Sequence, residues 1–447
     1  MELPIYERLT KYHRSNRISF AMPGHKNGRG LMPGLTDCDV TELDATENLH
    51  RPGAAVKRSQ ELIAQLYHSD KSYIMTGGST AGIQAAISAA VDPGDTLLAF
   101  ADCHMSVINT CALIGAGVRL MPLKYDAYGG YAGFDEELFS ALLSECKAAI
   151  AVSPDYYGRV KDIERIAAIC HAQDKPLLTD QAHGAHFAVG EPFPAAATEL
   201  GSDCTVMSAH KTLNALNGAA YLHVNGTRID RERLERALSM FQSSSPSYVI
   251  AASAETAALT LDKTAWQRTA DICRSLKSAL DLPHMKNDDP TRLVFYTDFA
   301  DGGMSGFEAE ELLADKFGID IEMADMFSIV LIATPSNSEG DFETLYAALK
   351  TLGSGTPVSR QINIEPPIER FLPSEGYFCK TELLFPEEAV GKTAACSVML
   401  YPPGIPIICC GAEITAAMAE EIGRMCACGG SITGMRDGKI SVVKYNF

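Results

Sequence analysis

The chain lacks any unbroken apolar run long enough to cross a membrane. A spanning helix needs roughly 20 apolar residues, whereas the most apolar stretch, residues 398–410, is interrupted by three prolines and a glycine. The first eight residues alternate charged and apolar side chains, so they lack the apolar core of a signal peptide. The sequence therefore predicts a protein that is neither embedded in a membrane nor exported by that route.

Positive charge is scarce. The 447 residues include 38 Lys and Arg against 56 Asp and Glu, which gives a formal net charge of −18. Such a surface repels nucleic acid and anionic membranes and tolerates cationic small molecules. Many ordinary proteins are equally acidic, so the substrate has to be argued from motifs.

The cysteines form no regular framework. Their number, 13, is odd, and they are scattered along the chain. The pairs Cys409-Cys410 and Cys426-Ala427-Cys428 have no matching His or Cys pair nearby at the spacing of a zinc site. The sequence predicts reduced thiols in a cytoplasmic protein and no bound metal.

Strand-like and helix-like segments alternate between residues 70 and 225. Apolar or β-branched runs occur at residues 72–75, 96–100, 118–123, 148–152, 176–179 and 204–207. Helical periodicity occurs between several of them, at residues 81–91, 135–145 and 163–173. This alternation predicts an α/β fold with a mostly parallel, doubly wound sheet.

The length exceeds what one hydrophobic core usually covers, so more than one domain is expected. We predict an N-terminal segment at residues 1–45, a large domain at 46–285 and a smaller α+β domain at 286–447. The last part, from about residue 373, is a candidate subdomain.

Polar residues cluster just after the predicted strands. They lie at residues 77–80, at His104, and at residues 155–157, 180–183 and 208–211. Ligands of doubly wound sheets bind beyond the carboxyl ends of the strands. These residues are therefore expected to share one site.

Gly77-Gly78-Ser79-Thr80 lies between a predicted strand and a predicted helix. Glycines let the backbone approach an anion, hydroxyl groups donate hydrogen bonds, and a helix N-terminus offers free N–H groups. The segment has the form of a phosphate site but lacks the Gly-Lys-Ser/Thr ending of a nucleotide-binding loop. The alternative is a capped helix preceded by a glycine turn.

Asp180 and Lys211 are separated by 211 − 180 = 31 residues, enough for one excursion that returns both to the same edge of the sheet. A buried carboxylate needs a cationic partner, such as a protonated pyridine nitrogen. A desolvated lysine can attack an aldehyde. Together they indicate pyridoxal phosphate, with Ser208 reaching its phosphate. A structural aspartate and a surface lysine are the alternatives.

Three histidines follow the same strands. His104 could stack on a pyridine ring or serve as an ordinary core histidine. His183 could hydrogen-bond near the ring hydroxyl. His210, beside Lys211, could contact substrate or cofactor, or only pack.

These motifs resemble the ornithine/lysine/arginine decarboxylase family, within the fold type I pyridoxal phosphate enzymes. The resemblance spans nearly the whole chain. It rests on Gly77–Gly82, Asp180–His186 and Ser208–Leu213, on the early Met22-Pro23-Gly24-His25-Lys26, and on the late Tyr401-Pro402-Pro403-Gly404-Ile405-Pro406 with Glu413. The early and late motifs are the most particular to this family. The chain resembles the short form, without a receiver-like N-terminal domain.

The resemblance implies a role for each candidate residue. Lys211 binds the cofactor covalently, Asp180 holds the pyridine nitrogen and His104 stacks on the ring. The other implied cofactor contacts are Gly78, Ser79, Thr80, Ala182, His183 and Ser208. Ser244, in the turn at residues 243–246, would reach the phosphate of the neighbouring subunit, which implies a homodimer with shared active sites.

The implied reaction is decarboxylation of arginine, lysine or ornithine to the corresponding amine. Lys211 or His210 would return a proton to the α-carbon, and Glu413 is a candidate for binding the distal cation of the substrate.

Two alternatives stay open. The first is another fold type I reaction, by an aminotransferase, an aldolase or a β-lyase. In an aminotransferase, Arg292 or Arg360 would hold the substrate carboxylate. The second is a non-catalytic scaffold, which is disfavoured because Lys211, Asp180 and the phosphate motif are all present.

Overall fold

A computed structural model describes residues 18–20, 47–359, 366–367, 369–400, 404–427 and 432–445. The early motif at residues 22–26, Arg360 and the first three residues of the late motif, 401–403, lie outside the described residues. Within these ranges no helix is long and apolar enough to cross a membrane.

The centre of the molecule is a seven-stranded sheet with the order β2-β10-β9-β8-β7-β3-β4. Five neighbouring strands, from β9 to β4, run parallel, and β10 is antiparallel to both β2 and β9. The strands are β2 Lys71–Met75, β3 Thr96–Phe100, β4 Gly117–Met121, β7 Ala148–Val152, β8 Leu177–Asp180, β9 Cys204–Ser208 and β10 Ala220–Val224. Their near-continuous burial follows from coverage of both faces.

Helices cover this sheet and connect its strands. They are α1 Ala55–Leu66, α2 Gly78–Ala90, α3 Met105–Ile114, α4 Glu136–Ser144, α5 Ile163–Ala172, α6 Ala209–Thr212, α7 Arg231–Phe241, α8 Tyr248–Leu259 and α9 Lys263–Ala279. A short hairpin, β5 Lys124–Tyr125 with β6 Tyr131–Gly133, and a 3-10 turn, Ala185–Val189, complete this part. Side-chain caps set several helix starts: Asp135 accepts from the N–H of Leu138, and Asp162 from that of Arg165.

The α/β prediction is confirmed, with two differences: strand β10 was not among the predicted strands, and the helix at the phosphate motif begins earlier than expected. Helix α2 begins at Gly78 and not near Ala81, so Ser79 and Thr80 belong to its first turn. The reason is the geometry of Gly78, which has a φ of +74° and donates its N–H to the carbonyl of Gly218 over 2.7 Å. The hydroxyls of the motif therefore sit on the helix itself.

The rest of the chain forms smaller sheets. Strand β11 Arg292–Tyr296 pairs with β14 Ser328–Ile332, which pairs with β13 Met323–Ala324; β1 Ile18–Ser19 pairs in parallel with β12 Ile319–Asp320. Helices α10 Gly306–Phe317 and α11 Glu339–Leu349 and a 3-10 turn, Lys350–Leu352, accompany them. Further along lie α12 Pro373–Tyr377, β15 Thr381–Leu384, β16 Val398–Leu400, β17 Pro406–Ile408, α13 Ala416–Ala427, β18 Ile432–Thr433, β19 Met435–Arg436 and β20 Lys439–Val443. The domain boundaries stay a prediction.

Candidate active site

Lys211 lies one short helical turn beyond the carboxyl end of β9. That strand ends at Ser208, and α6 directs the lysine back over the edge of the sheet. Its Nζ is 2.9 Å from Nε2 of His183, which follows the adjacent strand β8. Burial lowers the pKa of Lys211, while the charge of Asp180 opposes that shift. The surroundings thus favour the neutral, nucleophilic amine.

Asp180 is the last residue of β8 and lies opposite Val206 of β9. Its side chain is buried, with the residue 5% exposed, and Oδ1 accepts the backbone N–H of Ala182 over 3.1 Å. Burial raises the pKa of this carboxyl group, and the nearby Lys211 opposes the shift. A protonated pyridine nitrogen would supply the cation that this buried carboxylate needs.

His104 caps helix α3 at the carboxyl end of β3. Its Nδ1 accepts the backbone N–H of Ser106 over 3.2 Å. Burial and, to a smaller extent, the charge of Lys211 lower the pKa of His104 to about 4. The ring is therefore neutral at physiological pH, as stacking on a pyridinium requires. The next residue, Met105, donates its N–H to the carbonyl of Gly404 over 3.1 Å, which brings the late motif to this edge.

His210 is hydrogen-bonded to the main chain of Ala219. Its Nδ1 lies 2.9 Å from the carbonyl oxygen of Ala219, so this nitrogen carries the proton and donates it. Burial lowers the pKa of His210, and the hydrogen bond to Ala219 opposes that shift. The neutral imidazole thus presents an unprotonated Nε2 to its surroundings.

The phosphate motif offers unpaired donors. No side chain caps the first amides of α2, and the N–H of Gly78 is occupied by Gly218. Ser208 is fully buried, and its Oγ has no hydrogen-bond partner among the described residues. A buried hydroxyl without a partner is costly. A phosphate held between Ser208 and the helix start, with Ser79 and Thr80, would satisfy it. These residues fit pyridoxal phosphate.

Replacing Ser208 with alanine is expected to weaken cofactor binding by about 10-fold to 100-fold, because a hydrogen bond to a charged group contributes about 1.5–3 kcal/mol. The dissociation constant is measured by titrating the cofactor-free protein with pyridoxal phosphate. Ser202→Ala is the matched control, since Ser202 is equally buried but hydrogen-bonded to Thr179 at the other end of β9. An unchanged constant in Ser208→Ala would remove this residue from the phosphate site.

The serine turn lies close to the phosphate motif and is exposed. Gln242 accepts the N–H of Thr76 over 3.1 Å, and the carbonyl of Ser243 is 2.7 Å from Nε2 of His50. Ser244 itself is exposed, and its reach to a neighbouring subunit stays a prediction. Glu413 is exposed too, and its backbone forms an isolated antiparallel β-bridge with Thr393. No contact between Glu413 and Lys211 is found in the described part of the chain.

Tyr156 lies beside His183, as its place after a predicted strand led us to expect, and Arg292 and Glu322 join it from later in the chain. The ring of Tyr156 meets the His183 ring edge-on, with centroids 4.5 Å apart, and its hydroxyl donates to Glu322. Nη2 of Arg292 lies 3.2 Å from Nδ1 of His183. Tyr156 was thus among the predicted site residues, whereas Arg292 was considered only for the substrate carboxylate of an aminotransferase. Glu322 was not predicted at all, because no local pattern relates this later part of the chain to His183.

Comparison with known proteins gives consistent results. The model of the family described as "Orn/Lys/Arg decarboxylase, major domain" matches residues 3–285. A protein of Bacillus subtilis called YaaO, of uncharacterised function, is 33% identical over 95% of this chain and 94% of its own length. An arginine decarboxylase of Bacillus anthracis is 28% identical over 98% and 95%.

Among solved structures, the lysine decarboxylase of Francisella novicida has a TM-score of 0.77 at 19% identity, covering 99% of this chain and 81% of its own. This likeness confirms the prediction of the pyridoxal phosphate fold type I. The matched model covers most of the chain, and a relative above 30% identity spans nearly all of it. The chain therefore belongs to the Orn/Lys/Arg decarboxylase family, whose members are pyridoxal phosphate-dependent enzymes.

Proposed function

We propose that arginine is the amino acid that this pyridoxal phosphate-dependent decarboxylase converts to its amine and carbon dioxide. The observation that supports the decarboxylase chemistry is the arrangement at the ends of β8 and β9. There the amine of Lys211 lies 2.9 Å from His183, beside the buried Asp180. A binding site for pyridoxal phosphate needs a nucleophilic amine to bind its aldehyde and a fixed negative charge beside its ring nitrogen. Both are present here.

The chain's residues divide the work. Bound pyridoxal phosphate supplies an electron sink for the bond that breaks when carbon dioxide leaves. Asp180 keeps positive charge at the ring nitrogen, and the neutral His104 offers a flat face for the ring. Lys211 would hold the cofactor covalently through its amine. Ser208 and the start of α2 hold the phosphate.

Lys211 is the better candidate for returning a proton to the α-carbon. The proton of neutral His210 is committed to the carbonyl of Ala219 through Nδ1, so its Nε2 can only accept. Once the substrate has displaced it, the Lys211 amine can take up a proton and deliver it from Nζ.

Buried acidic groups favour a cationic substrate. Glu322, 8% exposed, is hydrogen-bonded by Tyr156, and Asp325 accepts from the hydroxyl of Tyr157 over 2.8 Å. Burial lowers the pKa of Lys211, and the negative charge of Glu322 opposes that shift. An acidic substrate side chain beside these groups would add to their negative charge, whereas a basic one would not.

The choice among basic amino acids rests on the relatives. The Bacillus anthracis protein that aligns over almost the full length of both chains is named an arginine decarboxylase. The lysine decarboxylase of Francisella novicida shares the fold at 19% identity. We therefore propose arginine ahead of lysine and ornithine.

The test is carbon dioxide release from arginine, lysine and ornithine, each assayed separately with added pyridoxal phosphate. Arginine is expected to give at least about a 10-fold higher kcat/KM than either other substrate, which corresponds to about 1.4 kcal/mol of discrimination. Preference for lysine or ornithine would overturn the substrate but keep the chemistry. No release from any of the three, despite bound cofactor, would overturn both.

We further infer a cytoplasmic homodimer that shares its active sites. All cysteines in the described part of the chain are free thiols, as a reducing compartment allows. The exposed serine turn follows Gln242, which accepts the N–H of Thr76 beside the phosphate motif, and Met240 of α7 is also exposed. Sedimentation of the cofactor-loaded protein at twice the chain mass of 48.1 kDa would support the dimer, and a monomer would contradict it.

A further inference from the structure

Arg292 is a fully buried cation. It is the first residue of β11, its side chain has no exposed surface, and its Nε and Nη1 have no hydrogen-bond partner among the described residues. Its stem packs on Gly158, where an added Cβ would lie 2.7 Å from the Cβ of Arg292. Gly158 has a φ of +84°, so a side chain there would be strained as well as crowded. The buried carboxylate of Asp289 interacts with this charge, but two of the donors stay unpaired among the described residues. Burying unpaired donors is costly and calls for a function.

The one described hydrogen bond of this guanidinium goes to His183. Nη2 of Arg292 is 3.2 Å from Nδ1 of the imidazole, and the residues are 109 positions apart in the chain. A guanidinium can only donate, so Nδ1 must accept. Neutral His183 therefore carries its proton on Nε2. A doubly protonated imidazole would have no acceptor for Arg292.

This tautomer dictates the state of Lys211. Nε2 of His183 lies 2.9 Å from Nζ of Lys211. Since Nε2 carries the proton, it donates, and Nζ must accept with a lone pair. A neutral amine has that lone pair and an ammonium group does not. The chain of contacts from Arg292 to Lys211 is consistent only with the free amine.

We propose that Arg292 is a positioning residue that acts through His183, fixing the Nε2–H tautomer of the imidazole and so holding Lys211 as a free amine ready to attack the cofactor aldehyde. Its purpose rests on the proposed function, because only cofactor chemistry needs that amine. The contacts themselves belong to the protein alone, so they can be tested without turnover.

The charges around the pair agree with this role. Burial, the positive charge that Lys211 would carry as an ammonium group, and the charge of Arg292 all hold the pKa of His183 well below its ordinary value. Burial also lowers the pKa of Lys211, and Arg292 contributes to that lowering. The remaining titratable groups that act on one or both of them are Asp180 and Glu322, which stabilise the ammonium form, and His104 and His210, which disfavour a charged His183.

The first test measures the tautomer directly. Nitrogen-15 NMR of histidine-labelled, full-length protein without cofactor should show His183 protonated at Nε2 and unprotonated at Nδ1, with its signals identified by their loss in His183→Gln. An Nδ1–H tautomer or a cationic ring would overturn the proposal. This measurement needs no variant of Arg292, so it stands even if such variants fold poorly.

The second test measures the amine. The rate at which the full-length chain takes up pyridoxal phosphate is followed by the absorbance of the bound cofactor across a pH series, because only the free amine reacts. In Arg292→Met the half-maximal rate should move up by about one pH unit, with about 10-fold slower uptake below it. Arg292→Lys, which keeps a charged donor, should recover part of the loss.

Lys277→Met is the matched control. Lys277 donates to the carbonyl of Arg292 over 3.0 Å but does not contact His183. If Arg292 matters only for packing, both variants should leave the pH profile of uptake unchanged, which would overturn the proposal. A shifted pH profile of uptake in Arg292→Met would support the positioning role of Arg292. If the unsubstituted protein nevertheless released no carbon dioxide from any of the three substrates, the proposed function alone would be refuted.

Discussion

Replacing Lys211 with alanine is expected to lower decarboxylation on the order of 10⁴-fold or more and to remove the absorbance band of covalently bound cofactor. The reason is that this amine is both the proposed point of attachment and the proposed proton donor, and removal of a covalent catalytic group has losses of this size. Activity is measured as carbon dioxide release at saturating pyridoxal phosphate, and the band by absorbance of the dialysed protein.

Lys175→Ala is the matched control for that experiment. Burial lowers the pKa of Lys175 as it does that of Lys211, but its Nζ donates only to main-chain carbonyls, among them that of Ser144 over 2.8 Å. We expect this variant to keep both band and activity. More than about one per cent residual activity in Lys211→Ala would contradict the assignment of the nucleophile.

Replacing Asp180 with asparagine is expected to lower kcat on the order of 10²-fold to 10³-fold. A neutral amide cannot hold positive charge at the ring nitrogen, and losing one preorganised electrostatic contact in a buried site costs about this much. Steady-state kinetics at saturating cofactor separate this loss from weaker binding. The absorbance spectrum of the bound cofactor should change in parallel.

The same substitution should leave the cofactor-free protein at least as stable as before and reduce the stabilisation that the cofactor provides. In the protein alone the only described hydrogen bond to the Asp180 carboxylate comes from Ala182, and burial raises the pKa of the group. Asparagine removes a buried charge, so the unfolding temperature of the cofactor-free protein should stay the same or rise. The increase caused by pyridoxal phosphate should shrink.

Asp203→Asn provides the comparison. Asp203 is also buried in the sheet, but it precedes β9 at the opposite edge and accepts from Leu177 over 2.8 Å. It should lose stability in both states and leave the cofactor spectrum unchanged. If Asp180→Asn behaved like Asp203→Asn, Asp180 would be a structural residue and not the partner of the ring nitrogen.

Local sequence patterns were sufficient to predict six of the seven strands of the large sheet and the polar residues at their ends, whereas strand β10 was not predicted. The predicted strand at residues 204–207 is β9, Cys204–Ser208, and the helix at residues 163–173 is α5, Ile163–Ala172. Such runs are recognisable because burial on both faces selects continuous apolar stretches. The start of α2 was missed by three residues, since the positive φ of Gly78 depends on its bond to the distant Gly218.

The roles of individual polar groups were harder to predict. His210 stands beside Lys211 in the chain, yet its ring turns to the carbonyl of Ala219. His183 lies 28 positions away from Lys211 and contacts its amine directly. Arg292 was considered for the substrate carboxylate of an aminotransferase, whereas its guanidinium contacts His183. Sequence distance does not report which nitrogen of a histidine meets which partner.

The sequence by itself determined where each strand ends and which chemical groups follow it, because strand and helix periods are local properties of the chain. It thereby placed Asp180, Ser208 and Lys211 at one edge and indicated the cofactor. Only the tertiary structure decided which groups from the smaller sheets complete that edge. Tyr156 and Glu322 are 166 positions apart and Arg292 and His183 are 109 apart, and their contacts arise from packing between elements that no local pattern relates.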